Sequence, residues 1–206
     1  MKLSKVLGGG ALVAWAMLSL AGAAQAANIV QNPNFDLDSP APGTAPEDWT
    51  LTQAASGSDF YVGLGYYGAF SGPNAANFGA AYESPDVLSQ TLATTPGQTY
   101  TISFELALHS GHYDAFSASF GGTTLLSLVN DESDFGYTLE TFTATATSSS
   151  TLLSFAGRNT KGLWDLDNVS VTADGVPEPA TWAMMLVGFG GLGAAMRSRR
   201  KQIVTA

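Results

Sequence analysis

Between residues 98 and 108 apolar and polar side chains alternate without a break. Tyr100, Ile102, Phe104, Leu106 and Leu108 fall on one side, and Thr99, Thr101, Ser103, Glu105 and Ala107 on the other. A period of two belongs to an extended strand with one buried face. Shorter runs of the same kind lie at 49–53, 60–62, 87–93, 115–120, 123–129, 137–146, 151–157 and 163–171. Turn formers separate them: Pro96-Gly97, Gly121-Gly122, the acidic run 131–134 and the serines of 148–150. Nine or so short strands with no helical window predict an all-β chain, a β-sandwich or jelly roll. Composition agrees, with 23 glycines, 9 prolines and only 12% charged residues in 206.

Two details sharpen this reading. Gly121-Gly122 is a two-residue hairpin signal that needs positive φ. In the last run Leu163 is in phase with Val169 and Val171, whereas Leu166 is not. Burying both Leu166 and Val169 requires an extra residue, so a bulge is expected near Asp167-Asn168. Phe142, Ala144 and Ala146, like Leu153 and Phe155, should face the core.

Charge divides the chain sharply. Six of the eight bases lie in the two ends, while residues 27–176 hold sixteen acids and two bases, a balance of -14. Such a body repels phosphate backbones, which argues against nucleic acid as a partner, and attracts cations. The absence of cysteine excludes disulfides, thiolate metal sites and cysteine nucleophiles.

Residues 1–26 read as a signal peptide for export. Lys2 and Lys5 precede an apolar run, and Ala24-Gln25-Ala26 supplies small residues at Ala24 and Ala26 for signal peptidase. At the other end, 176–201 carry Pro177-Glu178-Pro179, an apolar run at 180–196 and a basic cluster at 197–201. Seventeen residues at ~1.5 Å each reach roughly 26 Å, just short of a ~30 Å hydrocarbon core, so a short transmembrane helix is expected. The basic cluster should remain cytoplasmic. Together these elements resemble the PEP-CTERM sorting signal of Gram-negative bacteria, a tail that has also been labelled after ice-binding proteins. The resemblance implies an exosortase as partner. Pro177, Glu178 and Pro179 would be its recognition box, with Trp182, Arg197, Arg199 and Arg200 in the disposable tether. It further implies transit through the inner membrane as a tethered precursor, then the cell surface or the extracellular space. Two prolines hold that box extended at the membrane surface.

The body, 27–175, carries a second resemblance. Asn32-Pro33-Asn34-Phe35-Asp36 is similar to the N-G-x-F-E opening of jelly-roll carbohydrate-binding modules and galactose-binding-like domains. Trp49 stands where their G-W tryptophan does, with Asp48 in place of the glycine. Leu88-Ser89-Gln90-Thr91-Leu92, Gly97-Gln98-Thr99-Tyr100 and Leu166-Asp167-Asn168-Val169 resemble further strand motifs of that group. The resemblance implies a structural calcium tying the first strand to the last, with Asp36, Asp167 and Asn168 as ligands. Calcium takes six to eight oxygens, so backbone carbonyls and water would complete the set. Aromatics are the other candidates: Tyr61, Tyr66, Tyr67 and Phe70 in the Gly-rich stretch 63–72, with Tyr113 and Trp164 elsewhere, either stack on glycan rings or plug the core and the sandwich ends.

Other features point to plainer roles. The run 130–134 lacks an EF-hand glycine and reads as a solvated turn. His109 and His112 have no third ligand at a metal spacing and read as a polar loop. The Thr141, Thr143, Thr145 and Thr147 ladder is a single row of hydroxyls, too narrow to match a lattice, and reads as a solvent-facing strand. No G-x-S-x-G elbow or recognisable glycosidase carboxylate pair is present, so catalysis is not expected. The expectation is an exported surface or matrix protein with a non-catalytic adhesive or structural role linked to exopolysaccharide. The alternatives are a module with a specific glycan ligand and, behind it, a glycan-active enzyme.

Overall fold

In the computed structural model the long alternating stretch is a strand of eleven residues, Thr99–His109, paired on both sides within one of two antiparallel sheets. The structure describes residues 26–80, 84–110, 113–130, 133–175 and 188–189. Ala24, Pro177, Glu178, Pro179, Trp182, Arg197, Arg199, Arg200 and all but two residues of the 180–196 span lie outside them. Among the described residues no helix is long and apolar enough to cross a membrane.

Ten strands follow in chain order: β1 (Thr50–Thr52), β2 (Tyr61–Gly63), β3 (Ala75–Phe78), β4 (Asp86–Ala93), β5 (Thr99–His109), β6 (Ala115–Phe120), β7 (Thr123–Val129), β8 (Phe135–Thr145), β9 (Ser150–Arg158) and β10 (Leu163–Ala173). They form two five-stranded sheets, β1-β4-β9-β6-β7 and β2-β3-β10-β5-β8, the jelly-roll sandwich. Nine strands coincide with the alternating runs. The tenth, β3, reads Ala-Ala-Asn-Phe and is buried on both faces, so it carries no alternation to detect.

The inner faces meet in an aromatic core. Phe104, Phe116, Phe155 and Trp164 are fully buried, with Phe104–Phe155 and Phe116–Trp164 centroids 5.1 and 5.4 Å apart. Such pairs add about 1 kcal/mol to the burial of each ring. Gly121 and Gly122 both have positive φ, at 58° and 82°, and close the β6–β7 hairpin. Register slips between Asp167 and Ser170, and Asn168 sits there at φ 50°. This is the anticipated bulge, and it returns Leu166 and Val169 to the core together.

The opening motif wires the chain start to the first sheet. Trp49 Nε1 donates to the Asn32 carbonyl at 3.1 Å, and Asn32 Nδ2 to that of Glu47 at 3.0 Å. Gln90 of β4 accepts from Gln31 N and donates to the carbonyls of Gln31 and Asp48. Asp48 adopts φ 68°, a left-handed backbone that favours glycine and that Asp tolerates.

Candidate functional site

The second sheet turns its outer face away from the core, and one half of that face is roofed. Asn77 of β3, Asp165 of β10 and Ala107 of β5 lie side by side across three strands. In the next row Asp167 lies beside Glu105, which lies beside Leu139 of β8. Asn77, Glu105, Asp165 and Asp167 point outward from the sandwich, yet all are buried. The cover is the segment 64–74 between β2 and β3.

Its attachments are specific. Tyr67 N approaches Asp165 Oδ2 at 3.5 Å, and Ser71 N donates to Asp167 Oδ2 at 2.8 Å. Tyr137 of β8 donates its hydroxyl to the Gly68 carbonyl at 2.9 Å and meets the Phe70 ring edge-on at 5.6 Å. At the far end Asn74 N donates to Asp36 Oδ1 at 3.1 Å, and Asn74 Nδ2 reaches the carbonyls of Phe35 and Asp38. Gly65 and Gly72 are required by close approach. A Cβ on Gly65 would collide with the Asp165 carboxyl and Asn77 Oδ1; one on Gly72, at φ 66°, would collide with the Asp36 carboxyl.

With its roof in place, this half is acidic and buried. Burial pushes the Asp165 carboxyl up to about 6, against the opposing pull of the Tyr67 amide and His109. Burial likewise raises Asp167 to about 6, with amides from Ser71, Asn168 and Phe70 pulling it down. Glu105 is raised by burial alone. The Tyr137 hydroxyl is raised by burial and then by Asp165 and Asp167. Asn77 Nδ2 is spent on the carbonyls of Tyr61, Gly63 and Ala75, so its Oδ1 must face Asp165. Neither that oxygen nor Asp165 Oδ1 has a hydrogen-bond partner.

The roof presents aromatic rings outward. Tyr66 is 62% exposed and stacks on His109 at 3.3 Å and 1°, while Tyr67 meets both rings edge-on. His109 Nδ1 lies 3.2 Å from Asp134 Oδ2. A cavity of about 610 Å³ opens beside this stack, walled by Asp59, Tyr61, Tyr66, His109, Asn159 and Lys161.

The expected site residues therefore part company. Tyr66 and Tyr67 stand together on the roof. Tyr113 is exposed on the β5–β6 connection, its carbonyl accepting from Arg158. Trp164 is corrected: its ring is 0% exposed between Phe116 and Phe135, and its Nε1 donates to the Arg158 carbonyl, so no sugar can stack on it. The sequence pattern had put it on a strand next to Asp165, but its phase is that of Leu166 and the core.

Asp36 and Asp167 do converge on one segment, 70–74, but through its amide hydrogens. Both Asp167 oxygens accept backbone N–H groups, and Asp36 Oδ1 accepts a third. Asn168 donates its amide to Asp167 and turns its side chain to solvent. A cation needs converging oxygens, and N–H dipoles aimed into the same place oppose it. These donors do not fit the calcium cage. No group of three or more His, Asp or Glu side chains suited to a metal occurs among the described residues.

His109, Asp59, Glu105, Asn77 and Tyr137 were not singled out as site residues from sequence, or were read as loop polarity. Strand pairing brings Asn77, Glu105, His109 and Tyr137 beneath or beside the roof, and the loop before β2 brings Asp59 to the cavity.

Residues 175–201 match the PEP-CTERM protein-sorting motif. The motif marks a secreted protein targeted to the cell surface, and it implies an exosortase partner. Comparison with curated protein sequences gives no match. Among solved structures, the Stig cyclase Fisc from Fischerella sp. TAU is similar with a TM-score of 0.56 and 20% identity over 72% of this chain and 98% of its own. The enzymatically active domain of tailspike protein 4 from bacteriophage CBA120 gives a TM-score of 0.54 and 12% identity over 71% of this chain and 21% of its own. TmCBM61, solved with β-1,4-galactotriose, gives 0.49 and 16% over 72% and 99%. At these identities the likeness is one of fold.

Proposed function

We propose that the sandwich is a non-catalytic glycan-binding domain, exported across the inner membrane of a Gram-negative cell and presented at its surface or released into exopolysaccharide. Signal peptidase acts at Ala26, the 180–196 span holds the precursor, and the exosortase cuts near Pro177-Glu178-Pro179. The observation that carries the binding role is the clamped roof. Tyr66 and Tyr67 are exposed aromatic rings on a segment whose backbone amides, at Tyr67 and Ser71, are tied to the buried carboxyls of Asp165 and Asp167, with a polar cavity alongside. Rings held in place lose little entropy on binding, and their faces accept the C–H surfaces of sugars. Carboxyls beneath the roof hold it down and are shut away from a bound glycan, which favours binding over catalysis.

A glycan array probed with the mature protein tests this. Tyr66→Ala or Tyr67→Ala should abolish the signal with unchanged melting. A signal that survives both places the ligand elsewhere, and turnover of any bound polysaccharide makes the domain an enzyme.

A further inference from the structure

The cavity beside Tyr66 has a chemical bias that narrows the ligand, and this inference rests on the glycan-binding reading. Its wall carries the exposed carboxylate of Asp59, the ring of Tyr61 and the Tyr66–His109 stack. Behind Gly65, itself part of the wall, lie the Asp165 carboxyl and Asn77 Oδ1, both buried and each with an oxygen lacking a partner. Negative potential reaches the wall: after burial, Asp165 and Asp59 are what hold the Tyr61 hydroxyl above its ordinary range. On the rim of the roof the Tyr67 hydroxyl is raised first by burial and then by Asp134, Tyr66 and Asp165.

One side opposes this bias. Lys161 stands exposed on the turn before β10, where its backbone N–H is fixed by Asn159 Oδ1 at 3.1 Å. It is one of only two bases against sixteen acids in residues 27–176. A uronate or sulfated sugar would find this single ammonium and meet Asp59 and the body's field everywhere else. A positively charged group finds the Tyr61 and Tyr66 rings and the Asp59 carboxylate lining one cavity, a combination that suits ammonium ions.

We propose that this cavity is a subsite for a sugar bearing a free amine, a glucosamine-type unit, whose ammonium lies against Tyr66 and Asp59 while Asn159 meets ring hydroxyls. The acetylated sugar keeps an N–H but lacks the charge, and a neutral hexose presents a hydroxyl there, a donor without charge.

Titration calorimetry of the full mature protein with three β-1,4-linked disaccharides decides the matter: the glucosamine dimer, its N,N′-diacetyl form and cellobiose. The glucosamine dimer should bind at least tenfold tighter than the other two, and more weakly as salt rises. Asp59→Asn and Tyr66→Ala should each cost tenfold or more without shifting the melting midpoint, and Lys161→Gln should tighten binding. Glu140→Gln, a carboxylate on β8 that does not line the cavity, should leave affinity unchanged; a loss equal to that of Asp59→Asn would mean bulk charge attraction and overturn the proposal. Equal or tighter binding of the acetylated or neutral dimer overturns it while leaving glycan binding intact. A glycan array with no signal for any sugar would overturn the underlying reading.

Discussion

The outer face of the second sheet is two surfaces built on the same strands. Beneath 64–74 it holds Asn77, Glu105, Asp165 and Asp167, buried with no base among them. Toward the other end the same strands turn hydroxyls outward: Thr141, Thr143 and Thr145 on β8, Ser103, Thr101 and Thr99 on β5, and Ser170 and Thr172 on β10. Those on β8 are exposed and the rest half-buried, and their bonds run to neighbouring segments, as between Thr99 and Thr145 at 3.1 Å or from Thr101 to Asp174. A sheet needs neither arrangement for its core. Hydroxyls keep their hydration and cost nothing, whereas a roofed carboxylate loses hydration that its amide partners only partly restore. A fold retains that expense where it fixes something in place, and here it fixes the segment carrying Tyr66 and Tyr67.

If that contrast is sound, the largest effect comes from lifting the roof at its tightest point. Gly72→Ala forces a methyl against the Asp36 carboxyl at a left-handed φ of 66°. It should destabilise the domain by about 3 kcal/mol in urea unfolding and expose amides 64–74 to rapid hydrogen exchange. A neutral result would mean the roof rests on the sheet without being fastened to it.

Next comes the carboxyl beneath. Asp165 ionises near 6 when folded against about 3.9 when unfolded. Its protonated form is thus favoured by the fold, and that stability is fully present below about pH 4 and lost as pH rises through 6. Asp167 acts in the same direction. Each should weaken the domain by on the order of 2 kcal/mol between pH 4 and 7. Asp165→Asn should flatten its share of that slope. Equal slopes in the two proteins would show that Asp165 is not dry. On the open half, by contrast, Thr143→Ala should change stability by no more than about 0.5 kcal/mol.

The same contrast explains what the sequence discloses. Open strands are legible because solvent on one side and core on the other imprint a period of two, as in Thr141–Phe142–Thr143–Ala144. The bulge was legible for the same reason, as a slip in phase between Leu166 and Val169. The roofed half was not, since a cover removes the distinction between faces: β3 has four buried residues and no rhythm. Trp164 shows the related hazard, an aromatic beside a carboxylate whose side of the sheet depends on register alone. Nor does spacing along the chain reveal that Tyr66 lies on His109, forty-three residues away, because that contact is made by the route of a loop.

The smallest expected effect bears on the join between the first and last parts of the chain. A calcium there would have to draw Asp36 and Asp167 together through oxygen. In this chain Ser71 N, Asn74 N and Asn168 N point at those carboxylates, and Gly72 packs on Asp36. Amide dipoles supply the positive end that a cation would otherwise bring. Melting of the mature protein should therefore be the same in excess calcium and in excess chelator, whereas Gly72→Ala should lower it in both. A midpoint that rises with calcium would mean that a cation can turn those amides aside and bind the carboxylates directly. The roof would then be fastened at that end by metal, and its hold on Tyr66 and Tyr67 would vary with the calcium outside the cell.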